Sequence, residues 1–379
     1  MDKKNKNNLE LVHSGDDYFK RLLNIVSNAQ TEIHLQTYIF DEDETGLEVA
    51  KALIKAAKRN VKVYILLDAY GSSKLTNSFI ENLKLQNINI RFFSPLFSKN
   101  NFYIGRRLHH KIVVADGKTA LIGGINISNK YRGTKTEIPW LDFAVQFENK
   151  EIVKSIEALC QNIYFRKSRT RNANSFMGFD NEILVLQNDW LKQKNEIYNA
   201  YTRSFHNANN EIIIVGSYFL PSQRLRNLLK IATRKNVKVK IILSSLSDLP
   251  FVMWATKFLY SSLLKQGIEL YEWKKSVLHG KLAVVDNHFT IIGSFNLNHL
   301  SSYASIEMNV AINSIDFGKK TSKYLYDIID QCDRITLEVF EKRNSFFMRM
   351  RNFIAYYIVR FALIIATYIP RKRFLKFDS

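Results

Sequence analysis

At 379 residues, 46% hydrophobic and 24% charged, the chain carries enough apolar material for two globular domains or one duplicated domain, and it is excluded from the disordered and fibrous classes. Lys and Arg number 55 against 35 Asp and Glu, a net charge of +20, so anionic partners are expected: nucleic acid, phospholipid headgroups or a phosphate substrate. Cys160 and Cys332 are the only cysteines, which excludes a disulfide scaffold and a paired-cysteine metal site and fits a reducing compartment.

The segment Met1 to Gly15 is hydrophilic, without the apolar run of a signal peptide, so a cytoplasmic start is expected. Glu32 to Phe40 reads as a strand, Gly46 to Arg59 as a helix through Leu47, Ala50, Leu53, Ile54 and Ala57, and Val61 to Leu67 as a second strand. This βαβ unit recurs. Asn207-Ala208 repeats Asn28-Ala29, Glu211 to Val215 repeats the first strand, and Ala232 to Val239 repeats Ala57 to Val63. Between the copies, Ser168 to Asp180 is polar, basic and Asn-rich, as suits a linker. The expected organisation is a first domain over 1–167, a linker over 168–180, a second domain over 181–341 and a tail over 342–379. Alternating strands and helices imply an α/β/α sandwich in each copy, with a largely parallel or mixed sheet, and two such domains would pair about a pseudo-twofold axis.

Each copy ends in one constellation. The first has His109, Lys111, Asp116, Gly123-Gly124 and Asn126; the second has His279, Lys281, Asp286, Gly293-Ser294 and Asn296, at identical offsets. Strand alternation puts His109 with Lys111, and His279 with Lys281, on one face. Asp116 and Asp286 complete the motif set but have the opposite parity, and so read as strand-end, hydrogen-bonding residues. A turn at Gly124 and at Ser294 would return Asn126 and Asn296 towards the His-Lys pair, where their amides could donate to phosphate oxygens. Two imidazoles and two ammonium groups suit phosphodiester chemistry: one histidine attacks phosphorus, the other protonates the leaving alkoxide, and lysines and asparagines hold the non-bridging charge. Asp142, at +33 from His109, and Glu307, at +28 from His279, are the candidates for orienting the imidazoles. No carboxylate cluster accompanies the motifs, so neither a metal ion nor a cofactor is expected. His110 points away from His109 and has Gly280 as its counterpart, so the site does not require it. His13, His34, His206, His288 and His299 read as ordinary histidines.

These motifs resemble the phospholipase D superfamily. Gln36-Thr37-Tyr38-Ile39-Phe40, Leu66-Leu67-Asp68-Ala69-Tyr70-Gly71-Ser72, Gly123-Gly124-Ile125-Asn126-Ile127 and Ser217-Tyr218-Phe219-Leu220-Pro221 are similar to bacterial cardiolipin synthases within it. The chain departs from that pattern at His110, where Arg is usual, and at Asn298, where Asp is common. The resemblance implies two phospholipase D-like domains, one active site shared by both motifs, and a covalent phosphohistidine on His109. It implies transfer of a phosphatidyl group from phosphatidylglycerol to a second phospholipid alcohol. A phospholipase D or phosphatidylserine synthase is the rival within the same chemistry; a superfamily nuclease and a non-catalytic lipid-binding scaffold are the rivals outside it.

The tail from Lys342 has nine Lys or Arg and one acid, Asp378. On a helix, Ile354, Ile358, Phe361, Ile365, Tyr368 and Ile369 form an apolar face, and Asn352, Tyr356, Arg360 and Thr367 a narrow polar stripe. With Arg360 near its middle, this favours a helix lying in the plane of an anionic membrane over one that spans it. The expected location is the cytoplasmic face of the cell membrane, peripheral or monotopic, with nucleic acid the disfavoured partner. Phe251 to Trp254 and Phe258 to Tyr260 read as core helix rather than as an acyl-chain groove.

Overall fold

The computed structural model describes residues 8–94, 97–98, 101–102, 107–166, 182–189, 194–298 and 305–374, with side chains at all of these but 97–98, 101–102 and 363–374. The expected linker 168–180 lies outside them, as does His299. The first sheet contains β1 (Glu10–His13), β2 (Glu32–Thr37), β3 (Lys62–Asp68), β4 (Ile88–Phe93), β8 (Lys111–Ala115), β9 (Thr119–Gly123) and β10 (Phe143–Phe147), ordered β1-β10-β9-β8-β2-β3-β4. Three two-residue strands, β5 (Phe97–Ser98), β6 (Asn101–Phe102) and β7 (Arg107–Leu108), fall between β4 and β8 in the chain. Strands β2, β3 and β4 run parallel, as βαβ units require, and the β2–β8, β8–β9, β9–β10 and β10–β1 pairs are antiparallel.

The second half repeats this order. Strands β11 (Ile183–Asp189), β13 (Glu211–Gly216), β14 (Lys238–Ser244), β15 (Glu269–Trp273), β16 (Lys281–Val285), β17 (Phe289–Gly293) and β18 (Ser305–Asn313) lie as β11-β18-β17-β16-β13-β14-β15. β12 (Lys194–Asn195) is added beside β11, and β19 (Asp333–Ile335) beside β15. By compactness the chain divides into a unit of residues 1–185, 292–294 and 307–310, and a unit of residues 186–291, 295–306 and 311–379.

Helices cover both faces of the first sheet because its central strands are apolar on both sides. Helix Asp16–Asn28 buries Tyr18, Phe19, Leu22, Ile25 and Val26, and helix Glu44–Lys58 buries Val49, Ala50, Leu53 and Ala56; both pack in one core with Ile33 and Leu35 of β2. The Val, Leu, Ile and Phe side chains among these each contribute roughly 1.5–3 kcal/mol by leaving water. The alternate β2 residues face helix Lys150–Tyr164, where Gln36 donates to the Cys160 carbonyl at 3.0 Å. Capping fixes where these helices start: Asp43 accepts from Gly46 N, and in the second repeat Ser222 accepts from Leu225 N at the head of helix Gln223–Arg234.

The tail is one helix, Phe346–Phe374, within the second unit, and it packs along helix Pro250–Lys265. The polar stripe makes the contact. Asn352, Ala355 and Tyr356 are buried, Tyr356 Oη accepts from Arg226 Nη1 at 3.2 Å, and Phe258 meets Tyr356 with ring centroids 4.5 Å apart. Of the segments expected in the core, Leu259 and Tyr260 are buried, but Phe251 is exposed, Val252, Met253 and Trp254 are half-buried, and Phe258 serves as the seat for the tail. Of the expected apolar face, Ile365, Tyr368 and Ile369 lie outside the described side chains, as does Thr367 of the stripe. Among the described residues no helix is long and apolar enough to cross a membrane.

Candidate active site

The backbone ahead of each motif histidine is pinned by a side chain at the end of the third strand of its repeat. Asp68, fully buried at the end of β3, accepts from Leu108 N at 2.8 Å and from Tyr70 N and Gly71 N at 3.0 Å. Burial raises its pKa above the ordinary value, although the amides of Gly71, Leu108 and Tyr70 and the Arg107 guanidinium oppose that rise. In the second repeat Ser244 Oγ does the same work, accepting from Leu278 N at 2.9 Å. Neither residue was singled out from sequence. Their signal is positional, since each closes the third strand of its repeat.

His109 Nδ1 lies 2.9 Å from Glu307 Oε2 and 3.1 Å from the Ser294 carbonyl, all three within the first unit. A carboxylate and a carbonyl can only accept, so Nδ1 carries the proton and Nε2 is left as the basic nitrogen of the neutral ring. Glu307 is fully buried and also accepts from Ser294 Oγ at 2.5 Å. Glu307 follows His279 in the chain, yet its carboxylate meets the histidine of the other motif, 198 residues away. Asp142 is the equivalent of Glu307: Gly124 N donates to the Phe143 carbonyl as Ser294 N donates to that of Met308, which aligns the residues just before them. A Cβ on Gly124 would stand 2.3 Å from Asp142 Oδ1, so a side chain there, such as Ser294 carries in the second repeat, would displace the Asp142 carboxylate.

Lys111 opens β8 opposite Thr37 and Lys281 opens β16 opposite Gly216. Both are buried. Lys111 Nζ donates to the His109 carbonyl at 2.8 Å; Lys281 Nζ lies 2.9 Å from His279 Nδ1 and also donates to the His279 carbonyl. In the second repeat lysine and imidazole meet directly, whereas in the first the lysine reaches the backbone carbonyl of the histidine; each histidine lies two residues ahead of the strand that its lysine opens. A tyrosine stands edge-on to each imidazole, Tyr38 at 5.1 Å from His109 and Tyr218 at 6.2 Å from His279. Burial, with the Asp68 charge behind it, pushes the Tyr38 hydroxyl up to about 12, so it stays protonated at neutral pH. These tyrosines sit in the matched segments just after β2 and β13, but sequence alone gives them no role.

Asp116 and Asp286 do not belong with the catalytic groups. Asp116 and Gly117 have φ of 56° and 59°, and Lys118 N donates to the Ala115 carbonyl at 2.9 Å, the pattern of a type I′ hairpin turn. Asp286 and Asn287, at 53° and 55°, close the β16–β17 hairpin in the same way. The Asp116 carboxylate accepts from the amides of Gln30, Thr31 and Glu32 and from the Thr31 hydroxyl. Asp286 accepts from the amides of Asn209, Asn210 and Glu211. Each aspartate therefore ties its turn to the start of the central strand, about 16 Å along the strand from the motif lysine.

Asn126 is also structurally engaged. Its Oδ1 accepts from Ile39 N at 3.1 Å and its Nδ2 donates to Tyr131 Oη at 2.8 Å, while Asn296 Oδ1 accepts from Ser217 Oγ at 2.8 Å. Both asparagines thus hold the loop that carries the tyrosine of their own repeat. His110 is buried with Nδ1 donating to Gln36 Oε1 at 3.0 Å, away from His109.

A duplicated mixed sheet that delivers one His-Lys pair per repeat defines a two-motif phospholipase D-type enzyme. The family model described as "Cardiolipin synthase, PLD-like domain" matches residues 22–163 and 201–329, and the chain belongs to that family. It is a cardiolipin synthase-like phosphatidyltransferase of the phospholipase D superfamily. Cardiolipin synthase B of Salmonella typhi is 29% identical over 377 residues, covering 96% of this chain and 90% of its own length. Minor cardiolipin synthase ClsB of Bacillus subtilis is 28% identical over 348 residues, covering 90% and 86%. In fold, the chain is similar to the crystal structure of phosphatidylserine synthase from Haemophilus influenzae, at a TM-score of 0.77 and 15% identity, covering 95% of this chain and 94% of that one.

Proposed function

We propose that the enzyme makes cardiolipin from phosphatidylglycerol through a phosphohistidine. The observation that carries this reading is the Nδ1–H of His109 held by buried Glu307, which fixes the ring's tautomer and makes Nε2 its basic, nucleophilic nitrogen. His109 Nε2 forms the P–N bond as the bond from phosphorus to the glycerol oxygen breaks. His279 gives its proton to that oxygen and free glycerol leaves. The hydroxyl of a second phospholipid then loses its proton to His279 and attacks phosphorus, breaking the P–N bond and releasing the product. Lys111 and Lys281 supply positive charge to the non-bridging oxygens. By the equivalence of the two repeats, Asp142 serves His279 as Glu307 serves His109. Asn126 and Asn296, with Gly124 and Ser294, complete the phosphate-binding loops.

The second substrate is a lipid headgroup, and the net charge of +20 suits an anionic membrane, so the enzyme works at the cytoplasmic face of the cell membrane as a peripheral or monotopic protein. The test is to incubate purified enzyme with phosphatidylglycerol labelled in both its headgroup glycerol and its acyl chains in mixed micelles, alone and with serine. Cardiolipin and free glycerol are expected. Phosphatidic acid as the main product would make it a phospholipase D, and phosphatidylserine in the serine arm a phosphatidylserine synthase.

A further inference from the structure

The tail helix uses its polar stripe to dock on its own unit, and what remains outside is apolar. Phe346, Phe347, Met350, Phe353, Ile354, Tyr357, Ile358 and Phe361 are all exposed, Phe347 at 83% and Phe346 at 69%, whereas Ala355 on the docked side is at 0% and Asn352 at 2%. At 3.6 residues per turn those eight positions fall in an arc of about 140°, centred opposite the stripe of Asn352, Ala355 and Tyr356. A water-exposed helix has the reverse arrangement, with its apolar side inward. The apolar arc is bounded by cations. Arg349 and Arg360 lie at one border and Arg351 at the other, and Arg360 is held by a hydrogen bond to Tyr356 Oη at 3.0 Å while Arg351 stacks 4.5 Å over Trp254. In the sequence, Lys342-Arg343 precede the helix, Arg371-Lys372-Arg373 end it, and no acid lies between Lys342 and Phe377. The same unit exposes Leu246, Leu249 and Phe251 at the head of the helix on which the tail is seated.

From this we infer that the outer face of helix Phe346–Phe374 is a membrane-docking surface for an anionic phospholipid bilayer, lying in the plane of the interface. The choice of occupant follows from charge. A second copy of this chain would bring its own arginines against these, whereas anionic headgroups neutralise the bordering cations while the aromatic and aliphatic arc enters the acyl boundary. The helix is a fixed part of the second unit and not a loose tether, so the surface is presented in one orientation. The inference rests on the phospholipid-substrate reading only for the kind of lipid.

The test compares the full-length protein with the triple variant Phe347→Ser, Ile354→Ser, Phe361→Ser, all at exposed positions, after circular dichroism and a thermal melt have shown the fold intact. Co-sedimentation is measured with vesicles of phosphatidylglycerol and phosphatidylethanolamine, and with vesicles of phosphatidylcholine alone. Wild type should bind the anionic vesicles at least tenfold more tightly than the neutral ones, and the triple variant should lose at least tenfold while keeping its activity in mixed micelles. Unchanged vesicle binding by the triple variant overturns the inference. So does a wild-type dimer that the variant converts to monomer without a change in vesicle binding, since a second copy would then cover the face. If neither protein makes cardiolipin in micelles yet the binding difference holds, the catalytic reading has failed and the docking surface stands.

Discussion

Glu307 has no water-facing side, so its negative charge must be compensated by the groups it meets, and His109 Nδ1–H and Ser294 Oγ–H are those groups. Glu307→Gln can still accept from His109 but carries no charge to stabilise the imidazolium side of the reaction. We expect kcat to fall about 10²–10⁴-fold with KM little changed, the range seen when a charged orienting partner is replaced by its amide. Rates across pH on micellar substrate will show it, and an unaltered kcat would remove Glu307 from the mechanism. The proposed chemistry has nucleophile and proton shuttle act on one phosphate, so His109→Ala and His279→Ala should each abolish turnover; near-normal transfer by His279→Ala would refute the two-histidine chemistry. Asp116 belongs to stability instead. Burial pushes its carboxyl up, but the hydrogen bonds from Glu32, Gln30 and Thr31 outweigh that and leave its pKa below the ordinary value. A depressed carboxyl contributes stability that is fully present above the unfolded-state pKa of about 3.9 and is lost as pH falls through the lower folded-state value. Asp116→Asn is therefore expected to cost about 1.5–3 kcal/mol in urea melts at pH 7, with the difference from wild type shrinking below about pH 4.

At the scale of elements, the seat of the tail helix is aromatic: Phe258 meets Phe353, Tyr356 and Tyr357, with Arg226 and Arg360 on the Tyr356 hydroxyl. Phe258→Ala removes all three ring contacts and should loosen the helix by about 1–3 kcal/mol. Limited proteolysis would then cut within residues 346–362 faster than in wild type, and an unchanged cleavage rate would mean that the polar contacts alone hold the helix. The βαβ units were legible because their apolar runs have the periods of strand and helix. The strand-end role of the motif aspartate is legible too, from its parity opposite to the histidine and lysine, and Asp116-Gly117 between two apolar runs is itself a hairpin signal. Its fixed offset from the histidine measures the length of β8.

For the whole molecule, the proposed chemistry has Lys111 and Lys281 provide the charge that a metal ion supplies in other phosphoryl-transfer sites. EDTA should accordingly leave transfer on detergent-solubilised substrate within about twofold, and loss of activity restored by a divalent ion would count against the proposed chemistry. The duplication, the two His-Lys motifs and the strongly positive net charge follow from the sequence by itself, because repeats, offsets and charge need no coordinates. Tertiary structure decided the rest. That Glu307 answers His109, across 198 residues, depends on where β18 lies in the fold, which spacing along the chain cannot encode. Helical periodicity separated the two sides of the tail but not which of them packs: a narrow polar stripe faces water on an isolated helix, and here Asn352 and Tyr356 turn inward because Arg226 and Phe258 meet them there.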